Sequence, residues 1–248
     1  MNINIYNTKN ELGKSAAANA SAIIRKSLQE KDTANIVLAT GASQFEMLND
    51  LVEYTDIDWS KVRMFHLDEY VGISDSHPAS FRNYLQQRFV SKVSELKDVC
   101  FIRGDHEDPN QECGRLNNII SGLTIDLCCV GIGENGHLAF NDPPADFKVD
   151  DPYIVVELDE ACRNQQFGEG WFDSFEDVPR KAISMSIKQI MKSDQIICSV
   201  PDKRKAVAVK NCMEGEVTPE HPASMLQKHS DCQIFLDTDS ASLLTKSS

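Results

Sequence analysis

The apolar run Ile125-Asp-Leu-Cys-Cys-Val130 ends at a turn that holds Gly131, Gly133 and Gly136. That junction constrains the fold more than any other stretch. A short run with little polar alternation predicts a strand buried on both faces, as in parallel sheets sheathed by helices. Glycines placed directly after such a strand allow positive φ and close approach of a ligand to the amides. Open α/β sheets bind their ligands at that end of the strands. The turn runs on through His137 to Asn141-Asp-Pro-Pro144.

The rest of the chain repeats the alternation. Strands are predicted over 2–6, 35–39, 61–67, 97–102, 125–130, 153–157, 181–187, 195–200 and 232–236. Helices are predicted over 9–30, 44–54, 80–90, 109–122 and from about 201 to 213, and 159–177 reads as loop or broken helix. No repeat or linker-like stretch interrupts the pattern. The expected fold is a single α/β domain over 1–248: one doubly wound, largely parallel, Rossmann-like sheet with helices on both faces. A chain of 248 residues, 41% hydrophobic, can bury a core of that size.

Composition narrows the function classes. The formal net charge is −13 with no like-charge block, which argues against a nucleic-acid or anionic-membrane partner. Met1–Tyr6 alternates like a strand and lacks the basic start and apolar core of a signal peptide. No apolar run approaches the ~20 residues of a membrane span. The expected location is cytoplasmic. The eight cysteines, at 100, 113, 128, 129, 162, 198, 212 and 232, form no Cys-x-x-Cys pair. They read as buried reduced thiols rather than disulfides or a zinc site.

Three further features sit at predicted strand ends. Thr40-Gly-Ala-Ser-Gln44 joins a strand to a helix; it is either an ordinary turn with Ser43 as N-cap or a backbone cradle for an anion. Asp68-Glu69 follows the third strand, either as a solvated acidic loop or as a catalytic carboxylate. Lys203-Arg-Lys205 opens a helix, where cations are unfavourable unless an anion binds, so it is either a solvated turn or a phosphate handle. Gly131, Gly133 and Gly136 match G-x-G-x-x-G, but His137 and the Asn-Asp-Pro-Pro segment interrupt the helix that a dinucleotide site needs. One histidine and scattered carboxylates make no metal-ligand spacing, so no metal and no cofactor are expected. Two carboxylates, one histidine near neutral pKa and two phosphate handles suit proton transfer next to a carbonyl in a sugar phosphate.

These residues resemble a family. Leu67-Asp-Glu-Tyr-Val-Gly72, His77-Pro78 and Gly131-Ile-Gly-Glu-Asn-Gly-His-Leu-Ala-Phe-Asn-Asp-Pro143 are similar to glucosamine-6-phosphate deaminases, also called isomerases. Thr40–Ser43, Lys205-Ala206 and Ser224-Met-Leu-Gln227 fit the same family. The resemblance implies a sugar-phosphate isomerase fold and a cofactor-free conversion of glucosamine 6-phosphate and water to fructose 6-phosphate and ammonia. It makes Asp68, Asn135, His137 and Asp142 the catalytic set. Thr40, Gly41, Ala42, Ser43, Gly136 and Lys205 become the substrate and phosphate contacts. A homo-oligomer is compatible with it, since the family contains monomers and hexamers. The 6-phosphogluconolactonases share the fold and are the alternative, as is a sugar-phosphate sensor without turnover.

The chain departs from the family pattern at three places. Asn135 stands where Asp is frequent. Asp142 stands where Glu is usual, with a reach about an ångström shorter. Gln166, in Asn164-Gln-Gln-Phe-Gly168, stands where the family has a phosphate-binding arginine; either Arg163 or the 203–205 cluster compensates, or the substrate is not the usual one. Substrate choice is expected to rest on 159–177. A basic Arg-Thr-Arg-x-Lys segment that forms an allosteric phosphate site in some members is absent; residues 149–157 are Val-Asp-Asp-Pro-Tyr-Ile-Val-Val-Glu. Adding N-acetylglucosamine 6-phosphate is therefore expected to leave the rate unchanged.

Overall fold

The computed structural model describes residues 1–245, so the last three residues of the polar tail predicted from Ser240 lie outside the described residues. Seven strands form one sheet: β1 (Asn2–Tyr6), β2 (Ala34–Leu38), β3 (Val62–His66), β5 (Asp98–Cys100), β6 (Leu127–Val130), β9 (Gln195–Val200) and β10 (Cys232–Asp237). Their order is β1-β10-β9-β6-β2-β3-β5, and every pairing is parallel. Three strands form a second, antiparallel sheet in the order β4-β8-β7: β4 (Asp68–Tyr70), β7 (Tyr153–Glu157) and β8 (Lys181–Met185).

Strand residues alternate between two apolar layers, which is why the runs lack polar alternation. Ile36, Leu38, Leu127, Cys129, Ile197 and Phe235 pack with Leu12, Ala16, Ala20 and Ile24 of α1 (Lys9–Lys31) and with Met47, Leu48 and Leu51 of α2 (Phe45–Leu51). Val37, Cys128, Val130, Cys198, Ile234 and Leu236 pack with Cys113 and Leu116 of α4 (Pro109–Ile120) and with Val209 and Cys212 of α7 (Ala206–Glu214). The remaining helices are α3 (Phe81–Leu85), α5 (Glu160–Gly168) and α6 (Ile187–Ile190). All eight cysteines are buried free thiols, as the sequence predicts. No helix of the described residues is long and apolar enough to cross a membrane.

Helix ends follow local chemistry. Thr8 caps α1 by accepting from the Glu11 amide, and Asp32 ends it in the left-handed region at φ 59°. Asp108 and Pro109 start α4 in the same way. The expected Ser43 cap is absent: α2 begins after a single 3-10 turn, Ala42–Gln44, with no side-chain cap.

The doubly wound reading holds for the large sheet, with two corrections. The strands predicted at 153–157 and 181–187 leave that sheet and pair with each other. Asp68-Glu69-Tyr70 is no solvated loop, because it adds to them as β4, with Asp68 opposite Ser184. From β2 the chain proceeds outward to β3 and β5, and from β6 it proceeds the opposite way to β9 and β10. The reversal falls between β2 and β6, where the loops that follow adjacent parallel strands diverge and leave a crevice.

Candidate active site

A cleft opens at that reversal, the place where open α/β sheets bind their ligands. Four loops at the carboxyl ends of neighbouring strands reach it. The turn after β2 supplies Thr40, Gly41, Ala42, Ser43 and Gln44; the step after β3 supplies Asp68; the turn after β6 supplies Gly131 to Gly133, His137, Ala139 and Phe140; the turn after β9 supplies Lys205. Gln44 ties two of these loops together, donating from Nε2 to the Val130 carbonyl at 3.2 Å. Helix α5 closes one side with Gln165 and Gln166, and Glu169 follows it. Of the residues singled out in the sequence, Thr40 to Ser43, Asp68, His137 and Lys205 therefore converge.

Gly136, Asn135 and Asp142 do not line the cleft. Gly136 adopts φ 87° and faces Cys212 and His221, while its carbonyl accepts from the Ala223 amide at 3.0 Å. It shapes the turn from behind. Asn135 and Asp142 stand behind the imidazole. His137 Nδ1 lies 2.9 Å from Asp142 Oδ1, and the His137 amide donates to Asn135 Oδ1 at 3.0 Å. The Asp159 amide, at the start of α5, donates to Asp142 Oδ2 at 3.0 Å. Burial pushes the Asp142 carboxyl up, but the hydrogen bonds from His137, Asn135 and the Asp159 amide outweigh it and leave it below the ordinary value. An ionised Asp142 fixes a proton on Nδ1 and turns the other ring nitrogen, Nε2, outward as the exchangeable one.

His137, Asp142 and Cys162 place ligand-type atoms within 4.8 Å of one another. Burial raises the Cys162 pKa, and a neutral thiol is a poor metal ligand. The other two groups already satisfy each other.

Asp68 and Glu69 are adjacent on β4 and so point to opposite faces. Glu69 is fully buried and accepts from Ser80 Oγ and from the amides of Tyr70, Phe81 and Arg82, at 2.8 to 3.1 Å. It is the anchor of the loop that precedes α3. Asp68 faces the cleft, and no described residue donates a hydrogen bond to its carboxylate. Burial, aided by the Glu69 charge, pushes Asp68 up to about 8. A poorly solvated carboxylate of this kind is a strong base.

The profile of the family described as "Glucosamine-6-phosphate isomerases/6-phosphogluconolactonase" matches residues 7–235. The chain belongs to this family. A glucosamine-6-phosphate deaminase of Thermoanaerobacter sp. (strain X514) is 36% identical over 230 residues, 91% of this chain and 89% of that protein. One of Clostridium acetobutylicum is 35% identical over 250 residues, 98% of this chain and all of its own. The solved structure of a monomeric glucosamine-6-phosphate deaminase superposes with a TM-score of 0.91 at 31% identity, covering 98% of this chain and 100% of that one.

Each departure from the family pattern has a physical account in this structure. Asn135 Nδ2 donates to Asp142 Oδ1 at 3.0 Å and to Asp159 Oδ2 at 3.3 Å, so the amide bridges two carboxylates where an aspartate would add a third. The shorter Asp142 still reaches His137, because the turn 138–141 folds tightly. Asn141 Nδ2 donates to the Leu138 and Met185 carbonyls at 2.7 and 2.8 Å, and Ala139 takes φ 52°. Gln166 is buried and accepts from the Tyr70 hydroxyl at 2.6 Å. Arg163 does not replace the family arginine. It donates to the Phe175 and Val178 carbonyls and lies over the Phe175 ring, away from the cleft. Of the 203–205 cluster, Arg204 pairs with Glu134 and Asp202, and Lys205 alone lines the cleft. Glu169 and Gln165 went unread in the sequence. No motif marks them, and only the packing of α5 brings them in.

Proposed function

We propose that the protein is a cytoplasmic glucosamine-6-phosphate deaminase, working as one domain and converting glucosamine 6-phosphate and water to fructose 6-phosphate and ammonia. The observation that carries this reading is the pairing in one cleft of a base-strength carboxylate, Asp68, with an imidazole held by Asp142. His137 moves the proton between the ring oxygen and the anomeric hydroxyl, opening the pyranose. Asp142 and Asn135 position the imidazole. Asp68 takes the proton from C2 of the open-chain sugar and returns one at C1. The enolamine formed becomes an imine at C2, and water adds there as ammonia leaves. The amides of Thr40 to Ser43 and the Lys205 ammonium hold the phosphate. Proton transfers of this kind contribute on the order of a hundred- to ten-thousandfold each.

The test is ammonia release from glucosamine 6-phosphate by the wild type and by Asp68→Asn. Release by the wild type and loss by at least a hundredfold in the variant are expected. Hydrolysis of 6-phosphogluconolactone that survives Asp68→Asn would assign the lactonase activity instead. Tight sugar-phosphate binding with no turnover would make the protein a sensor.

A further inference from the structure

The phosphate end of the cleft holds a carboxyl group of its own, Glu169. Among the described residues lining the cleft, Lys205 is the one lysine or arginine, and Gln166 supplies no charge. Glu169 lies on the same end. Its Oε2 is 3.8 Å from the point where a Cβ on Gly41 would stand, so the carboxylate reaches the middle of the Thr40–Ser43 cradle. A phosphate dianion seated there would meet this carboxylate at close range.

Glu169 also separates two spaces. A second, open cavity adjoins the cleft, and Ala42, Ser43, Glu169 and Lys205 line both. The outer side carries Lys9 and Arg204, already paired with Glu46 and with Glu134 and Asp202, together with Asp237 and Asp239. No salt bridge within 4 Å ties Glu169 down among the described residues; a hydrogen bond with Gln165 and the Lys205 charge hold its side chain. It follows α5 between Gly168 and Gly170, and a Cβ on either glycine would meet nothing within 4 Å. Neither glycine is demanded by a neighbour, and Gly170 holds φ 81°. Both lend the end of α5 freedom to rearrange.

We propose, resting on the phosphate-sugar reading above, that Glu169 is an internal competitor for the phosphate end of the cleft. In the free protein its carboxylate covers the Thr40–Ser43 cradle beside Lys205. The substrate's phosphate binds by displacing it outward into the adjoining cavity. Burial pushes the Glu169 carboxyl up, and Lys205, the hydrogen bond with Gln165, Arg204 and His137 draw it part of the way back. The displacement selects for ligands with a strongly anionic group at the far end from Asp68, since a neutral hydroxyl cannot take the carboxylate's place.

The test uses inorganic phosphate as the probe and the intact chain. Calorimetry is expected to show phosphate binding about three- to tenfold tighter in Glu169→Gln and Glu169→Ala than in the wild type, the order that one partly screened like charge contributes. The KM for glucosamine 6-phosphate is expected to fall in parallel. Weaker phosphate binding in both variants would make Glu169 a ligand of the substrate and overturn the proposal; unchanged binding would overturn it too. A second readout needs no change at position 169. Trp171, two residues on and 38% exposed, is expected to change its fluorescence on phosphate addition, and the change is expected to vanish in Trp171→Phe. A wild type that binds phosphate in this way but releases no ammonia would refute the deaminase reading and leave the Glu169 proposal standing.

Discussion

His137 Nδ1 and Asp142 Oδ1 lie 2.9 Å apart, and the same Asp142 oxygen accepts from Asn135 Nδ2 at 3.0 Å. The amide of Asn135 also reaches Asp159. Two groups, the imidazole and the Asn135 amide, thus share two carboxylates without a third negative charge. Asn135→Asp, which installs the residue frequent elsewhere in the family, is expected to be harmful in this chain. A third carboxylate would raise the pKa values of the group and free Asp142 to rotate. The expected result is a fall in kcat/KM of about ten- to a hundredfold at neutral pH. An unimpaired variant would show that Asn135 does not position the imidazole.

Asp68 sets the pH dependence. Its carboxyl is pushed up to about 8, and it acts as a base only when ionised. The kcat/KM of the free enzyme is therefore expected to rise with pH through this region. The same shift affects stability with the opposite sign to an ordinary paired carboxylate. Between the unfolded value, near 4, and about 8 the folded state holds the proton and the unfolded chain does not, so stability falls as pH rises. Asp68→Asn removes that loss. Its melting temperature is expected to exceed the wild type's by at least about 2 °C at pH 9, where about 1 kcal/mol suffices in a chain of this size, and by less at pH 5. Thermal melts at the two pH values decide it; equal shifts at both would contradict the titration.

Gly133 makes room for the imidazole. A Cβ at this position would overlap the His137 ring at Cδ2 and Nε2. The Gly133 amide also donates to the His137 carbonyl at 3.0 Å, so the backbone there cannot withdraw without opening the turn. Gly133→Ala is expected to lower kcat by at least about a hundredfold, since a displaced imidazole loses its alignment with the substrate. Overpacking of this kind costs about 1–3 kcal/mol. Denaturant unfolding alongside turnover separates the two effects. A variant that keeps full activity would mean that His137 works from another rotamer.

The large sheet was legible because its inner parallel strands bury both faces, and Ile36 to Leu38 or Cys128 to Val130 can be read from one short window. The small sheet was not. Three residues from Asp68 to Tyr70 show no period, and their pairing with 182–184 depends on chain more than a hundred positions away. Asp68 and Glu69 are likewise indistinguishable in sequence. The strand's alternation sends one to the cleft and the other to the loop before α3. His137 was legible because glycines frame it. The roles of Gln166 and Glu169 follow from how α5 seats on Tyr70 and Gly41, which no local pattern encodes.

His66 ends β3 directly before the cleft strand, wholly buried, with neither ring nitrogen hydrogen-bonded. Phe81 and Phe101 pack edge-on against it. Burial, helped by the Arg82 charge, lowers its pKa to about 3. The unfolded chain binds a proton below about 6.5 and the folded protein does not, so stability is full above that value and is lost as pH falls toward 3. His66→Leu removes this liability and the two unpaired ring nitrogens together. It is expected to stabilise the fold at pH 5 by about 2 kcal/mol more than at pH 8, the worth of about one and a half pKa units. Urea titrations at the two pH values measure the difference. A leucine variant that loses stability equally at both would mean that the imidazole's shape, and not its charge, governs this site.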